Sequence, residues 1–107
     1  MTRRDVLDAA AKCVCGDREQ DYGSPEDNFG TIATFWREYI YAKSGIDVPI
    51  GPDDVAIMMA LLKVARIAKG NTPDSYIDLA GYAACAGEVA TKLVVHNVRP
   101  AGAVAAN

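Results

Sequence analysis

Apolar positions recur with a helical period along most of the chain, and the breaks between them carry a repeated polar device. Ser24-Pro25-Glu26-Asp27, Gly51-Pro52-Asp53-Asp54 and Thr72-Pro73-Asp74-Ser75 each place a cap residue before a proline, with acidic residues just behind it. Proline at the first helical position lacks the N–H that would go unpaired there, and acids in the first turn face the positive end of the helix dipole. Proline also disfavours helix at the residue before it, so these three sites predict helix starts.

Four helices follow. The first covers Arg3 to about Cys15 and stops near Gly16. The second runs from about Pro25 to Lys43, with Phe29, Ile32, Ala33, Trp36 and Ile40 on one broad face. Ser44 to Ile50 is a loop. The third spans about Pro52 to Lys69 and is apolar nearly all round between Val55 and Leu62, as expected at the centre of a bundle or at an interface between subunits. Gly70-Asn71 suits a left-handed C-cap. The fourth runs from Pro73 to about His96, and its small residues from Ala80 to Gly87 permit close helix approach. The prediction is an all-α, four-helix bundle over residues 1–97, with mostly antiparallel neighbours and a flexible tail at 98–107. The third and fourth helices carry more apolar surface than two short partners cover, so a homo-oligomer is expected to complete the fold.

Composition narrows the function classes. The chain has 107 residues, half of them hydrophobic, and a net charge of −3. That is globular composition without the positive surface a nucleic acid polymer requires. No apolar run approaches the roughly 20 residues that span a bilayer, and the two N-terminal arginines precede no apolar signal segment. The expected location is the cytoplasm. Cys13, Cys15 and Cys85 are read as reduced thiols. They make a poor zinc set with His96, the single histidine.

The chemistry concentrates around the turn between the third and fourth helices. Lys63 and Arg66 lie about 60° apart on one side of the third helix. Asp74, Asp78, Gly81 and Cys85 share a face of the fourth, with Tyr82 one turn after Asp78. Two readings follow. Lys63 or Arg66 could face Asp78, and one reading is a structural ion pair, Arg66 with Asp78, tying the helix hairpin. The other is a ligand site in which Arg66 grips phosphate bidentately and Lys63 acts as a point charge. Nearby acids would then orient the arginine, bind Mg2+ or accept from a sugar or base. A second polar cluster, Gly16 to Gly30, contains Arg18, Asp21, Tyr22 and Asn28. Tyr22 and Trp36 suit stacking on a base, and Trp36 suits core filling equally.

The stretches DREQDYGSPEDNFGTIATFW and DDVAIMMALLKVARIAKGNTPDSYIDLAGYA resemble an uncharacterised domain family common in bacteriophages, over roughly Arg18 to Glu88. More distantly the chain is similar to MazG-type nucleotide pyrophosphohydrolases, helical oligomers that hold Mg2+ through an ExxE motif and a later ExxD motif. This sequence has no ExxE, and the spacing of Asp74 and Asp78 only loosely imitates the second motif. The resemblance implies a cytoplasmic protein, in the host if phage-encoded, that binds a nucleotide or nucleotide-derived signal between helices or subunits. Arg18, Tyr22, Trp36, Lys63, Arg66, Asp74, Asp78 and Tyr82 would line that site. Sequestration of a host defence messenger is the implied role, with no cofactor. The alternatives are a Mg2+-dependent nucleoside triphosphate pyrophosphohydrolase, with metal on Asp54, Asp74 and Asp78 (Glu19 and Asp21 supplying further carboxylates), and an oligomeric scaffold without ligand.

Overall fold

A computed structural model describes residues 1–16, 25–70, 72–92 and 98–101, with the backbone alone at 25–27. Four helices make up the described chain: α1 (Arg3–Cys15), α2 (Pro25–Ser44), α3 (Pro52–Lys69) and α4 (Pro73–Ala90). No strand occurs among the described residues, as the periodicity predicts. The Gly51-Pro52 and Thr72-Pro73 starts are helix starts. Ser24 lies outside the described residues.

The caps differ in detail from the expectation. Thr72 does not cap α4 with its side chain. Its hydroxyl instead pairs with that of Ser75 at 2.8 Å, and the Ser75 N–H donates to the Thr72 carbonyl at 3.1 Å. At α3 the Asp54 carboxylate accepts from the Gly51 N–H at 2.9 Å. Thr2 and Asp5 form a complete capping box on α1, a device the sequence reading passed over. Of the left-handed cap expected at Gly70-Asn71, Gly70 does not adopt it, and Asn71 lies outside the described residues. Gly70 is extended, at φ −172°, and its N–H donates to the Arg66 carbonyl. The left-handed glycine is Gly45, at φ 74°, which ends α2 through an N–H bond to the Tyr41 carbonyl. α4 ends at Ala90, earlier than expected, and residues 93–97, including His96, lie outside the described residues.

Packing is organised around an α3–α4 hairpin. α2 leans on α3, and α1 leans on α4. Ala33, Ile50 and Val55 form a buried cluster, with Phe29, Ile32, Trp36, Ile40 and Met59 packed around it. Val55 is fully buried, so Val55→Ala is expected to cost about 2 kcal/mol in urea unfolding. On the other flank, Gly81 of α4 takes α1. A Cβ at Gly81 would lie 3.1 Å from Val14 Cγ1, so glycine sets how closely the two helices approach. Gly81→Leu is expected to push α1 away and cost about 2 kcal/mol, read as lost helical signal at a lower denaturant midpoint.

The four helices do not close around a common axis, because α1 and α2 share no substantial interface among the described residues. The radius of gyration is 16.2 Å, against about 13 Å for a compact chain of this length. Single-chain packing therefore leaves large apolar side chains in water, including Phe35, Tyr39, Ile57, Leu61 and Leu62.

Candidate functional site

The α3–α4 turn forms an open groove of about 490 Å3, within the size range of small-molecule sites. Leu62 and Ala65 give it an apolar wall. Arg66 and Lys69 bring two positive charges from the last turn and a half of α3. Thr72 and Ser75 bring hydroxyls from the start of α4. The local sequence explains the grouping. Arg66 and Lys69 are one helical turn apart, and the short Gly70–Thr72 connection carries the N-terminus of α4 beside them. Cations at a helix C-terminus also complement its dipole.

Lys63 is not the second cation of this groove. Its ammonium is 3.0 Å from Asp78 Oδ2, with the lysine side chain 13% exposed and the aspartate 32%. The ion pair that ties the hairpin is thus Lys63–Asp78, not the Arg66–Asp78 pair expected from the sequence. Helical geometry explains the exchange. Lys63 sits on the α4-facing side of α3, and Arg66, 60° further round, is carried to the exposed side. Asp78→Asn is expected to cost about 1 kcal/mol of stability in urea titration and to leave ligand affinity at Arg66 unchanged.

The remaining candidates are dispersed. Trp36 is half-buried against the Ala33–Ile50–Val55 cluster. Tyr82 faces Phe29, with ring centroids 6.1 Å apart. Asp74 is exposed in the first turn of α4. Arg18, Glu19, Asp21 and Tyr22 lie outside the described residues. Among the described residues no group of three or more His, Cys, Asp and Glu side chains converges to hold a metal ion. Asp54, Asp74 and Asp78 therefore do not make one centre, and two of these carboxylates are engaged, Asp54 with Gly51 and Asp78 with Lys63. Cys13, Cys15 and Cys85 form no disulfide, and Cys85 is buried.

A second charged cluster lies at the far end of α2. Asp47 is buried and accepts from Arg37 Nε at 2.6 Å and Nη2 at 2.7 Å. It also accepts from the Arg99 backbone N–H at 2.8 Å and from Arg99 Nε at 3.1 Å. Arg99 stacks 3.6 Å over the Tyr41 ring and reaches Glu38 at 3.0 Å. The two guanidiniums hold the Asp47 carboxyl far below the usual carboxylate range, and Asp47 in turn raises Arg37 and Arg99. This cluster is structural: its acceptor is saturated from within the chain. It also holds Arg99 against α2.

Residues 5–90 match a sequence family described as a domain of unknown function, DUF6378. The chain belongs to the DUF6378 family. This DUF6378 chain is 43% identical over 79 residues to the Gene 55 protein of Mycobacterium phage L5, covering 73% of the chain and 47% of that protein. It is 37% identical over 81 residues to the Gene 55 protein of Mycobacterium phage D29, covering 75% of the chain and 50% of that protein. The chain thus spans about half the length of these relatives. No solved structure matches it. The expected phage domain family is the one found. No helix among the described residues of the DUF6378 chain is long and apolar enough to cross a membrane.

Three groove residues of the DUF6378 chain escaped the sequence reading: Lys69, Thr72 and Ser75. Lys69 was detectable from its three-residue spacing to Arg66. The Thr72 hydroxyl was read only as a cap, and Ser75 was given no role.

Proposed function

We propose that this domain binds a small phosphorylated molecule, a nucleotide or nucleotide-derived signal, in the groove at the α3–α4 turn. The observation that carries the reading is the placement of Arg66 and Lys69 beside an apolar wall in one concave surface. A guanidinium grips phosphate oxygens in pairs, and an ammonium one turn away neutralises a second charge. Leu62 and Ala65 offer the apolar contact that an uncharged ring system needs, and the Thr72 and Ser75 hydroxyls lie within the same lining for a sugar or phosphate oxygen. The distant resemblance to MazG-type proteins read from the sequence would imply the same ligand class.

Binding is favoured over hydrolysis. Metal-assisted cleavage of a phosphoanhydride needs several carboxylates converging on the cations. Here Asp54 closes a helix start, Asp78 neutralises Lys63, and Asp47 is held by two arginines. In a phage-encoded protein, such a binder would withdraw a host signalling nucleotide from its receptor. Mass spectrometry of small molecules released from the purified, denatured protein tests this. The expected result is an intact phosphorylated compound from wild type that is absent from Arg66→Glu. Recovery of only cleaved products would sink the binder in favour of an enzyme.

A further inference from the structure

We infer that the exposed face of α3 is the contact between two copies of this chain, packed as an antiparallel helix pair around Leu61. The inference stands apart from the ligand reading and rests on the pattern and exposure of α3. Ile57, Leu61, Val64 and Ala68 follow one another at alternating steps of four and three residues. That is the spacing of a two-helix seam. Each faces solvent in the single chain: Ile57 is 50% exposed, Leu61 60% and Val64 46%, and Ala68 is exposed as well. Met58 and Leu62 flank the seam at 43% and 48%. A contiguous apolar patch on the order of several hundred Å2 marks a contact surface on a soluble chain. The opposite face of the same helix already packs within the chain through Val55, Ala56 and Ala60.

Charge selects the occupant and its direction. The first turn of α3 carries Asp53 and Asp54, and the last turn carries Arg66 and Lys69. A parallel copy would set like charges together at both ends. An antiparallel copy sets the acidic end of one helix against the basic end of the other, twice, which is the self-complementarity that a two-fold interface requires. With Leu61 meeting Leu61, Ile57 lies opposite the partner's Ala65, and Asp54 lies opposite the partner's Ala68, beside Lys69. Asp54 and Lys69 are both roughly 10–12 Å from Leu61 along the axis, so they reach the same level in the paired helices. Leu62, Ala65 and Lys69 border both this seam and the groove, so the groove gains a wall from the partner's α3.

Sedimentation of the untagged chain without added nucleotide tests the proposal. The expected mass is twice 11.4 kDa. Leu61→Glu is expected to yield a monomer that keeps its helical circular dichroism, because Leu61 is 60% exposed in the single chain. Lys69→Asp is expected to weaken the dimer by roughly tenfold or more, and Lys69→Asp with Asp54→Lys to restore it. With Cys13 and Cys15 replaced by serine, Leu61→Cys is expected to cross-link to itself on oxidation. A monomeric wild type overturns the proposal, as does a dimer indifferent to Leu61→Glu. A dimer that the charge swap fails to restore and that Leu61→Cys fails to cross-link overturns the antiparallel pairing. A dimer that binds no phosphorylated compound refutes the ligand reading and leaves this interface standing.

Discussion

Asp47→Ala is expected to lower the melting temperature by on the order of 10 °C, the largest loss from any single surface-loop substitution in this chain. The carboxylate side chain has no solvent exposure and joins three segments: α2 through Arg37, the Gly45–Ile50 loop, and the C-terminal segment through Arg99. Its removal leaves two guanidiniums facing one another without a shared acceptor. Arg99 then loses its seat over Tyr41, and proteolysis near residue 99 is expected to accelerate in the same variant. Glu38→Ala is the control. Glu38 pairs with Arg99 and is 58% exposed, so its loss is expected to change the melting temperature by no more than about 3 °C. The acid response follows from the same geometry. Asp47 has an ordinary value of 3.8 and is depressed well below it in the folded chain, chiefly by its bond to Arg37. Its stabilisation is therefore fully present above about pH 4 and declines as pH falls further toward the folded-state value. Melting curves of wild type should fall across that acid range, and those of Asp47→Asn should fall less steeply.

Arg66→Ala is expected to weaken phosphorylated-ligand binding by roughly 10- to 100-fold, the range set by one charge-assisted bidentate contact. The unliganded melting temperature should stay within about 2 °C of wild type, because Arg66 is exposed. Lys69→Ala should weaken binding less, because an ammonium lacks the paired geometry of a guanidinium. Lys63→Met should show the opposite split, with stability altered and affinity kept, because its charge is spent on Asp78. Isothermal titration with ATP in the presence of EDTA, alongside thermal melts of each variant, reads both quantities. A loss of affinity in Lys63→Met equal to that in Arg66→Ala would show that the hairpin ion pair, and not the groove, holds the ligand.

Much of the fold was legible because its signals are local. Proline with acidic neighbours marks a helix start whatever surrounds it, and the observed starts of α3 and α4 coincide with the expected ones. The all-round apolar character of α3 likewise announced a helix with two faces to cover. Apart from the capping details at Thr2 and Thr72, the errors are non-local. Whether Lys63 or Arg66 meets Asp78 depends on the rotation of α3 against α4, which no spacing within α3 specifies. Arg99 lies 52 residues after Asp47, beyond both α3 and α4, and no pattern in the sequence joins it to the Arg37–Asp47 pair. The left-handed glycine was assigned to Gly70 rather than Gly45 because both follow helices. Only the path of the following chain decides which carbonyls need a reversed cap. Of the sequence candidates, Arg66 lines the groove, and the cation beside it there is Lys69, one turn after Arg66, rather than Lys63, one turn before it.

The central claim is that the Arg66–Lys69 groove receives a phosphorylated molecule. Its most direct test is the thermal shift of the wild-type chain in EDTA with ATP, with a cyclic dinucleotide and with unphosphorylated adenosine, each repeated on Arg66→Glu. The account predicts a saturable rise in melting temperature with at least one phosphorylated compound, none with adenosine, and none in the variant. An equal rise in wild type and Arg66→Glu would contradict it.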